Sequence, residues 1–145
     1  MTHSHALPAI ALALACSGLM PAASATEPAS VKVTLWDKNG TDGVTLSSHK
    51  VKADAVEFEI KNTSKQSMHE FLITPWKTSL KSLPYDDSKG QVREGALPQL
   101  AGVEDMKPGA EATLRLPLKP GRYAVFCNQP GHYKLGMVTD FTVSK

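Results

Sequence analysis

The chain has 145 residues, of which 41% are hydrophobic and 21% charged, as is usual for a single globular domain. The formal net charge is only +2 and the lysines and arginines are scattered, so the sequence does not favour a nucleic-acid partner. No apolar run reaches the roughly 18 to 20 residues that a membrane-spanning helix needs.

Residues 1–25 differ in composition from the rest of the chain. They contain the apolar run ALPAIALALACSGLM, and Ala23, Ser24 and Ala25 match the A-x-A pattern of a cleavage site. The sequence therefore predicts a signal peptide at 1–25, which is removed, and an exported, periplasmic domain at 26–145. No lysine or arginine precedes the apolar run. Lipoprotein processing at Cys16 in LALAC is the alternative.

Removal of this segment leaves one cysteine, Cys127, and three histidines, His49, His69 and His132. A lone thiol cannot form an internal disulfide, and in an oxidising compartment it is a liability unless another group occupies it. A bound metal would occupy it, because a coordinated thiol is deprotonated and no longer free.

Hydrophobic alternation predicts a chain made of β-strands. The alternating segments, in chain order, are VKVTLWD, AVEFEIKN, MHEFLIT, EATLRL, YAVFC and MVTDFTVSK. Turn signals separate them, including KNGTDG, NTSKQS and KPGR. Residues 75–110 carry several Pro and Gly breaks and are predicted to form an irregular insertion, with one or two short helical turns, at the side of the domain. The pattern favours an all-β Greek-key β-sandwich of seven or eight strands.

Alternation also places His69, Cys127 and Met137 on the inward-facing sides of three different strands, each at a strand end beside a loop. We therefore expect these side chains to converge at one end of the sandwich. Met68 and Met106 are predicted to be packing residues.

The stretch CNQPGHYKLGM contains Cys127, His132 and Met137. Alone, it is compatible with a thiol nucleophile beside a base, a redox cysteine, or ligands of one metal. Thiolate and thioether ligands suit Cu(I), and one Cys and two His with a weak axial Met form a blue-copper site. His69, on an apolar strand, is a better candidate for the second histidine than His49, which lies in the polar segment SSHK.

The segments NTSKQSMHEFLI and YAVFCNQPGHYKLGM resemble the cupredoxins, the small blue-copper proteins, and their Cys-x4-His-x4-Met spacing is most similar to rusticyanins and sulfocyanins. The resemblance implies one copper ion with His69, Cys127 and His132 as equatorial ligands and Met137 as the axial ligand. It implies a monomeric carrier of single electrons through Cu(II)/Cu(I). A redox partner, such as a c-type cytochrome or a terminal oxidase or reductase, would dock near His132 on a face formed by Pro130, Gly131, Tyr133, Leu135 and Gly136.

Glu70 departs from the cupredoxin pattern, because many members have asparagine after the first histidine ligand. It is expected to form a hydrogen bond to the loop that carries Cys127, His132 and Met137 (the ligand loop) or to face solvent. A third possibility is that its oxygen ligates the metal, as in the red-copper nitrosocyanins. Asn128, beside Cys127, is a second candidate for supporting the ligand loop.

Other functions remain in competition with electron transfer. The alternative is a periplasmic copper-binding protein for copper tolerance or delivery. An enzyme is not favoured, because Phe126 and Asn128 flank Cys127 where a multicopper oxidase has histidines. A binuclear electron-entry centre would need two cysteines on the loop. A Cys–His thiol enzyme would leave His69 and Met137 without a role.

Overall fold

The computed structural model describes residues 27–52 and 55–145, so the predicted signal peptide and Cys16 lie outside the described residues. These residues form eleven strands: β1 (Ala29–Lys38), β2 (Thr41–Leu46), β3 (Lys50–Lys52), β4 (Val56–Asn62), β5 (His69–Pro75), β6 (Tyr85–Asp86), β7 (Gln91–Val92), β8 (Ala101–Met106), β9 (Glu111–Leu116), β10 (Gly121–Phe126) and β11 (Val138–Ser144). Two single-turn 3₁₀ helices span Leu80–Ser82 and Glu94–Ala96. No helix in the described ranges is long and apolar enough to cross a membrane.

Two sheets form the body of the protein. A four-stranded sheet has the order β2-β1-β4-β9 and a five-stranded sheet the order β3-β11-β10-β5-β8, while β6 and β7 form a separate ribbon. The pairs β1–β4 and β3–β11 are parallel and the other pairs are antiparallel. The predicted all-β sandwich is confirmed.

The two sheets contain nine strands, more than the predicted seven or eight, and β2, β3 and β8 are not among the alternating segments recognised in the sequence. β3 has three residues. β8 lies within the predicted insertion at 75–110 and pairs with β5, but its sequence AGVEDM buries only Met106 fully and so lacks a clear alternation. The predicted KNGTDG turn is also shorter than expected, because Asn39 and Gly40, both with positive φ, make the turn and Thr41 begins β2.

The core lies between the inward faces of the two sheets. Phe58 of β4 is at its centre, with ring centroids 5.0 Å from Phe71 and 5.4 Å from Phe141. In β1 the alternation predicted from the sequence is present, and Val31, Val33 and Leu35 are buried.

The insertion covers the outer face of the five-stranded sheet. A second apolar cluster joins side chains of β5 and β10 to side chains of the insertion and of the loop after β10, and its buried members are Leu72, Leu83, Val92, Ala124, Phe126 and Tyr133. The prediction that only alternate residues of MHEFLIT face the core is therefore incomplete, since β5 is buried on both faces from His69 to Thr74.

Asn62 fixes the loop that leads from β4 to His69. Its fully buried side chain donates to the carbonyls of Ser67 at 2.9 Å and Met106 at 2.8 Å. Its Oδ1 accepts the backbone N–H of Ser64 at 3.0 Å. The loop is thereby attached to β4 and β8, and His69 enters β5 from a defined position.

Replacement of Asn62 by Ala would leave two carbonyls and one N–H of this loop without their partners. We expect the free energy of unfolding to fall by about 1–3 kcal/mol, measured by urea denaturation. Thr113→Ala, at an exposed position of β9, is the control and should change stability by less than about 0.5 kcal/mol. Equal stability of the two variants would contradict the role given to Asn62.

Candidate metal centre

Three side chains from separate parts of the chain meet at one end of the sandwich. His69 begins β5, Cys127 follows β10, and His132 lies in the loop before β11. The Nδ1 atoms of the two histidines are 3.1 Å apart, and the Sγ of Cys127 lies 3.5 Å from Nδ1 of His132 and 3.9 Å from Nδ1 of His69. His49 lies elsewhere, exposed, with its Nδ1 bonded to the Asp140 carbonyl.

The triangle of donor atoms has the size that a metal ion requires. With metal–nitrogen and metal–sulfur bonds of about 2.0 and 2.3 Å, a trigonal ion would separate its ligand atoms by about 3.5–3.7 Å. The observed separations of 3.1, 3.5 and 3.9 Å bracket these values. A thiolate and two imidazoles are soft and borderline donors, so His69, Cys127 and His132 fit a copper ion and could hold one.

The sulfur of Cys127 is buried and receives a hydrogen bond from the main chain. The backbone N–H of Glu70 donates to Sγ at 3.2 Å. Burial raises the pKa of the thiol to about 12, although backbone N–H groups of Gln129 and Glu70 partly offset this effect. The metal-free protein therefore keeps Cys127 as a neutral thiol, and a metal that binds there must displace its proton.

His69 is also fully buried, and its outer nitrogen has a partner. Nε2 lies 2.7 Å from the hydroxyl of Ser64. Burial, with a further contribution from His132, lowers the pKa of His69. The lowered pKa favours the neutral ring, and the tautomer with its proton on Nε2, towards Ser64, would leave the lone pair of Nδ1 directed at the cluster.

Met137 closes the ligand loop through its main chain. Its N–H donates to the carbonyl of His132 at 3.0 Å, and its carbonyl accepts the N–H of Cys127 at 3.1 Å. Its side chain is fully buried and belongs to the same core cluster as Cys127. This placement is compatible with the predicted axial role, which stays a prediction.

Glu70 and Asn128 both support the ligand loop, but in different ways. The Glu70 carboxylate accepts a hydrogen bond from Gln129 at 2.7 Å, as the first of the expected roles requires. It is not part of the donor cluster. Asn128 accepts from the N–H of Val92 at 2.6 Å and donates to Glu94 at 2.7 Å, so it attaches the loop to the insertion.

Tyr133 does not contribute to an exposed docking face, contrary to the expectation for that residue. Its side chain is buried, because the insertion provides an acceptor for its hydroxyl, the Leu80 carbonyl at 2.6 Å, and a neighbouring ring, Tyr85, at 5.6 Å. The N–H of Gly131 also donates to the Gly90 carbonyl at 2.8 Å. The insertion thus braces the ligand loop from one side.

Two residues beside the histidines were not anticipated from the sequence. Ser64 contacts Nε2 of His69, and the Oδ2 of Asp42 lies 3.7 Å from Nε2 of His132. The available signal for Asp42 was its position, since it continues the inward-facing row of Leu46 and Val44 by one more step of two residues.

The model of the cupredoxin-like domain family matches residues 7–139. The chain belongs to the cupredoxin-like family. The family resemblance stated from the two ligand-bearing segments is therefore confirmed.

Solved structures with this cupredoxin's fold include reduced auracyanin from Roseiflexus castenholzii, with a TM-score of 0.57 and 20% identity over 81% of this chain and 99% of that one. Rusticyanin from Thiobacillus ferrooxidans has a TM-score of 0.59 and 18% identity over 81% of this chain and 79% of its own. At such identities the likeness shows the fold alone. A comparison with curated protein sequences finds no match.

The raised pKa of Cys127 gives a test on the metal-free protein. Its thiolate fraction at neutral pH should be about 3,000-fold below that of an ordinary cysteine, whose pKa is about 8.5. Iodoacetamide should therefore label the folded, metal-free protein very slowly at neutral pH. The urea-unfolded chain is the control and should react at the normal rate. Mass spectrometry measures both labelling rates. Equal rates in the folded and unfolded chains would contradict the conclusion that the thiol is buried and neutral.

Proposed function

We propose that this cupredoxin is an exported, periplasmic type 1 copper protein that carries single electrons between redox proteins. Its equatorial ligands are His69, Cys127 and His132, and Met137 is the axial ligand. The observation that supports this proposal is the convergence of one sulfur and two Nδ1 atoms within 4.8 Å of one another. A bound copper ion would supply the Cu(II)/Cu(I) couple, and the thiolate and thioether donors suit the reduced state.

The surroundings of the donors favour rapid electron exchange. The N–H of Glu70 holds the sulfur, Ser64 holds His69, and main-chain bonds of Met137 hold both ends of the ligand loop. Ligands that are fixed before the metal binds rearrange little between its oxidation states. A small rearrangement lowers the barrier to electron transfer, which is the property that an electron carrier needs.

His132 marks the side on which we propose that partners dock. Its ring is 17% exposed, whereas His69 and Cys127 are fully buried. Leu135, in the same loop, is 52% exposed. Met68, which precedes His69 and was predicted to be a packing residue, is 40% exposed instead. Small apolar surfaces of this kind suit short-lived complexes, so we propose a c-type cytochrome or a terminal oxidase or reductase as partner.

Copper tolerance or delivery is the competing function for the same centre. Within residues 27–52 and 55–145, the donor cluster of His69, Cys127 and His132 is the one group of three or more metal-ligating side chains. A single, deeply buried site favours an electron carrier over a protein that stores or passes on copper. Loss of the protein should then impair respiration, whereas copper sensitivity with normal respiration would favour the copper-handling role.

The Cu(II)-loaded protein should have the visible and EPR spectra of a type 1 site. We expect an intense thiolate-to-copper band that is absent in Cys127→Ser and weakened or altered in His132→Ala. His49→Ala is the matched control, because His49 lies away from the cluster, and it should leave the spectrum unchanged. A red rather than blue protein, restored to blue by Glu70→Gln, would favour glutamate ligation. Absence of the band from the unaltered protein would refute a type 1 site.

Leu135→Asn should slow electron exchange with a c-type cytochrome without altering the copper site. Loss of this apolar contact is expected to weaken docking by about 1–2 kcal/mol, which corresponds to roughly a tenfold lower second-order rate constant. Stopped-flow mixing measures this rate, and the visible spectrum checks the copper. A small inorganic reductant needs no docking face and should react at the unaltered rate. Unchanged exchange with the cytochrome would place the docking face elsewhere.

A further inference from the structure

The β1–β2 hairpin places two carboxylates next to the two histidines. Asp37 and Asp42 are direct cross-strand partners, and both continue the inward-facing rows of their strands beyond the apolar core. The indole of Trp36 fixes this geometry, because it donates to Thr45 at 3.0 Å and lies against Gly43, where a Cβ atom would overlap the ring. The hairpin therefore presents its carboxylates to the donor cluster from a rigid support.

Asp42 interacts with the outer edge of His132. Its Oδ2 is 3.7 Å from Nε2, and the Asp42 side chain is only 11% exposed. This separation is slightly longer than a hydrogen bond. The charge of Asp42 also raises the pKa values of His69 and Cys127, although burial is the dominant influence on both groups. The field of this one carboxylate thus reaches all three donor residues.

Asp37 lies near the other histidine, and its charge slightly raises the pKa of His69 against the dominant effect of burial. Its carboxylate accepts the hydroxyl of Ser67 at 2.6 Å, and this bond is the main cause that holds the pKa of Asp37 below its ordinary value. Each histidine therefore has a carboxylate near it: Asp42 lies 3.7 Å from Nε2 of His132, and Asp37 acts on His69 through its charge alone.

This arrangement is unfavourable in the metal-free protein. Like charges directly opposite each other on neighbouring strands repel, and Asp42 is largely buried beside a neutral thiol and an imidazole. A positive ion at the cluster would attract both carboxylates and so offset their mutual repulsion. Carboxylates behind ligating histidines are a recurrent feature of metal sites, where they fix the tautomer and the orientation of the ring.

We propose that Asp42 is a positioning residue that directs the Nδ1 atom of His132 at copper, and that the charges of Asp42 and, more weakly, Asp37 favour Cu(II) over Cu(I). The inference rests on the copper centre proposed above. Cu(II) with the Cys127 thiolate retains one positive charge, whereas Cu(I) with the same thiolate is neutral. A nearby negative charge therefore stabilises the oxidised centre more than the reduced one.

The reduction potential measures this preference. Asp42→Asn keeps the shape of the side chain and removes its charge. It should lower the Cu(II) affinity by about 10-fold or more and the Cu(I) affinity less. A tenfold change in their ratio raises the potential by about 59 mV for one electron. Asp42→Glu, which keeps the charge, should stay near the unaltered value, and Asp37→Asn should give a smaller rise.

Asp140→Asn is the matched control. Asp140 lies 3.9 Å from Nδ1 of His49, a histidine–aspartate pair away from the cluster, so its loss removes the same charge without touching the centre. A rise confined to the Asp42 and Asp37 variants, with the type 1 band retained, supports the inference. Equal potentials in the Asp42→Asn and Asp140→Asn variants would overturn it while leaving the copper function intact.

The metal-free protein provides a readout that does not depend on copper. Long-range ¹⁵N–¹H NMR correlations report how protonation of the His132 ring is divided between Nδ1 and Nε2. Asp42 faces Nε2, so Asp42→Asn should lower the share of the Nε2–H tautomer relative to the unaltered protein. Equal tautomer populations in the two proteins would contradict the positioning role. If copper loading gives no type 1 spectrum, the proposed function fails, and this NMR result still decides whether Asp42 positions His132.

Discussion

The hydrogen bond from the backbone N–H of Glu70 to the sulfur of Cys127, 3.2 Å long, is the interaction on which the site depends. It connects β5 to the residue that follows β10, and so joins His69 to Cys127 across 58 positions of the chain. A fully buried sulfur has few hydrogen-bond donors within reach. The backbone N–H of Glu70 is such a donor, and the sheet holds it in a fixed position because Glu70 belongs to β5. The antiparallel register of β5 and β10 sets this contact, so the sheet itself determines the distance between the ligands.

The remaining supports act on the loops rather than on the strands. Asn62 attaches the loop before His69 to β4 and β8, and the insertion attaches the ligand loop through Asn128 and Tyr133. This division explains why an irregular segment far from the donors in sequence matters for the centre. In a cupredoxin, whose ligands should move little between oxidation states, such bracing contributes directly to the proposed electron transfer.

The fold class and the inward positions of His69 and Cys127 could be predicted because both depend on a side-chain period of two, whereas His132, which lies in a loop, was predicted from the Cys-x4-His-x4-Met motif and the family resemblance. The alternation of side chains along the strands was enough to place His69 and Cys127 on the inward faces of the sheets, and the structure confirms their burial. Features that depend on partners distant in sequence could not be predicted. Tyr133 is buried only because the insertion folds back over it, and β8 pairs with β5 despite a weak pattern. Alternation gave Asp42 an inward-facing position, but its role could not be recognised without knowing that His132 lies beside it across the sandwich.

In the proposed centre, one sulfur and two imidazole nitrogens of this chain surround a single copper ion. X-ray absorption at the copper edge, on protein loaded with one equivalent of Cu(II), tests this coordination directly. We expect one short copper–sulfur shell and two copper–nitrogen shells with imidazole scattering, with the short sulfur shell lost in Cys127→Ser. A first shell made only of nitrogen and oxygen, unchanged by that substitution, would contradict it.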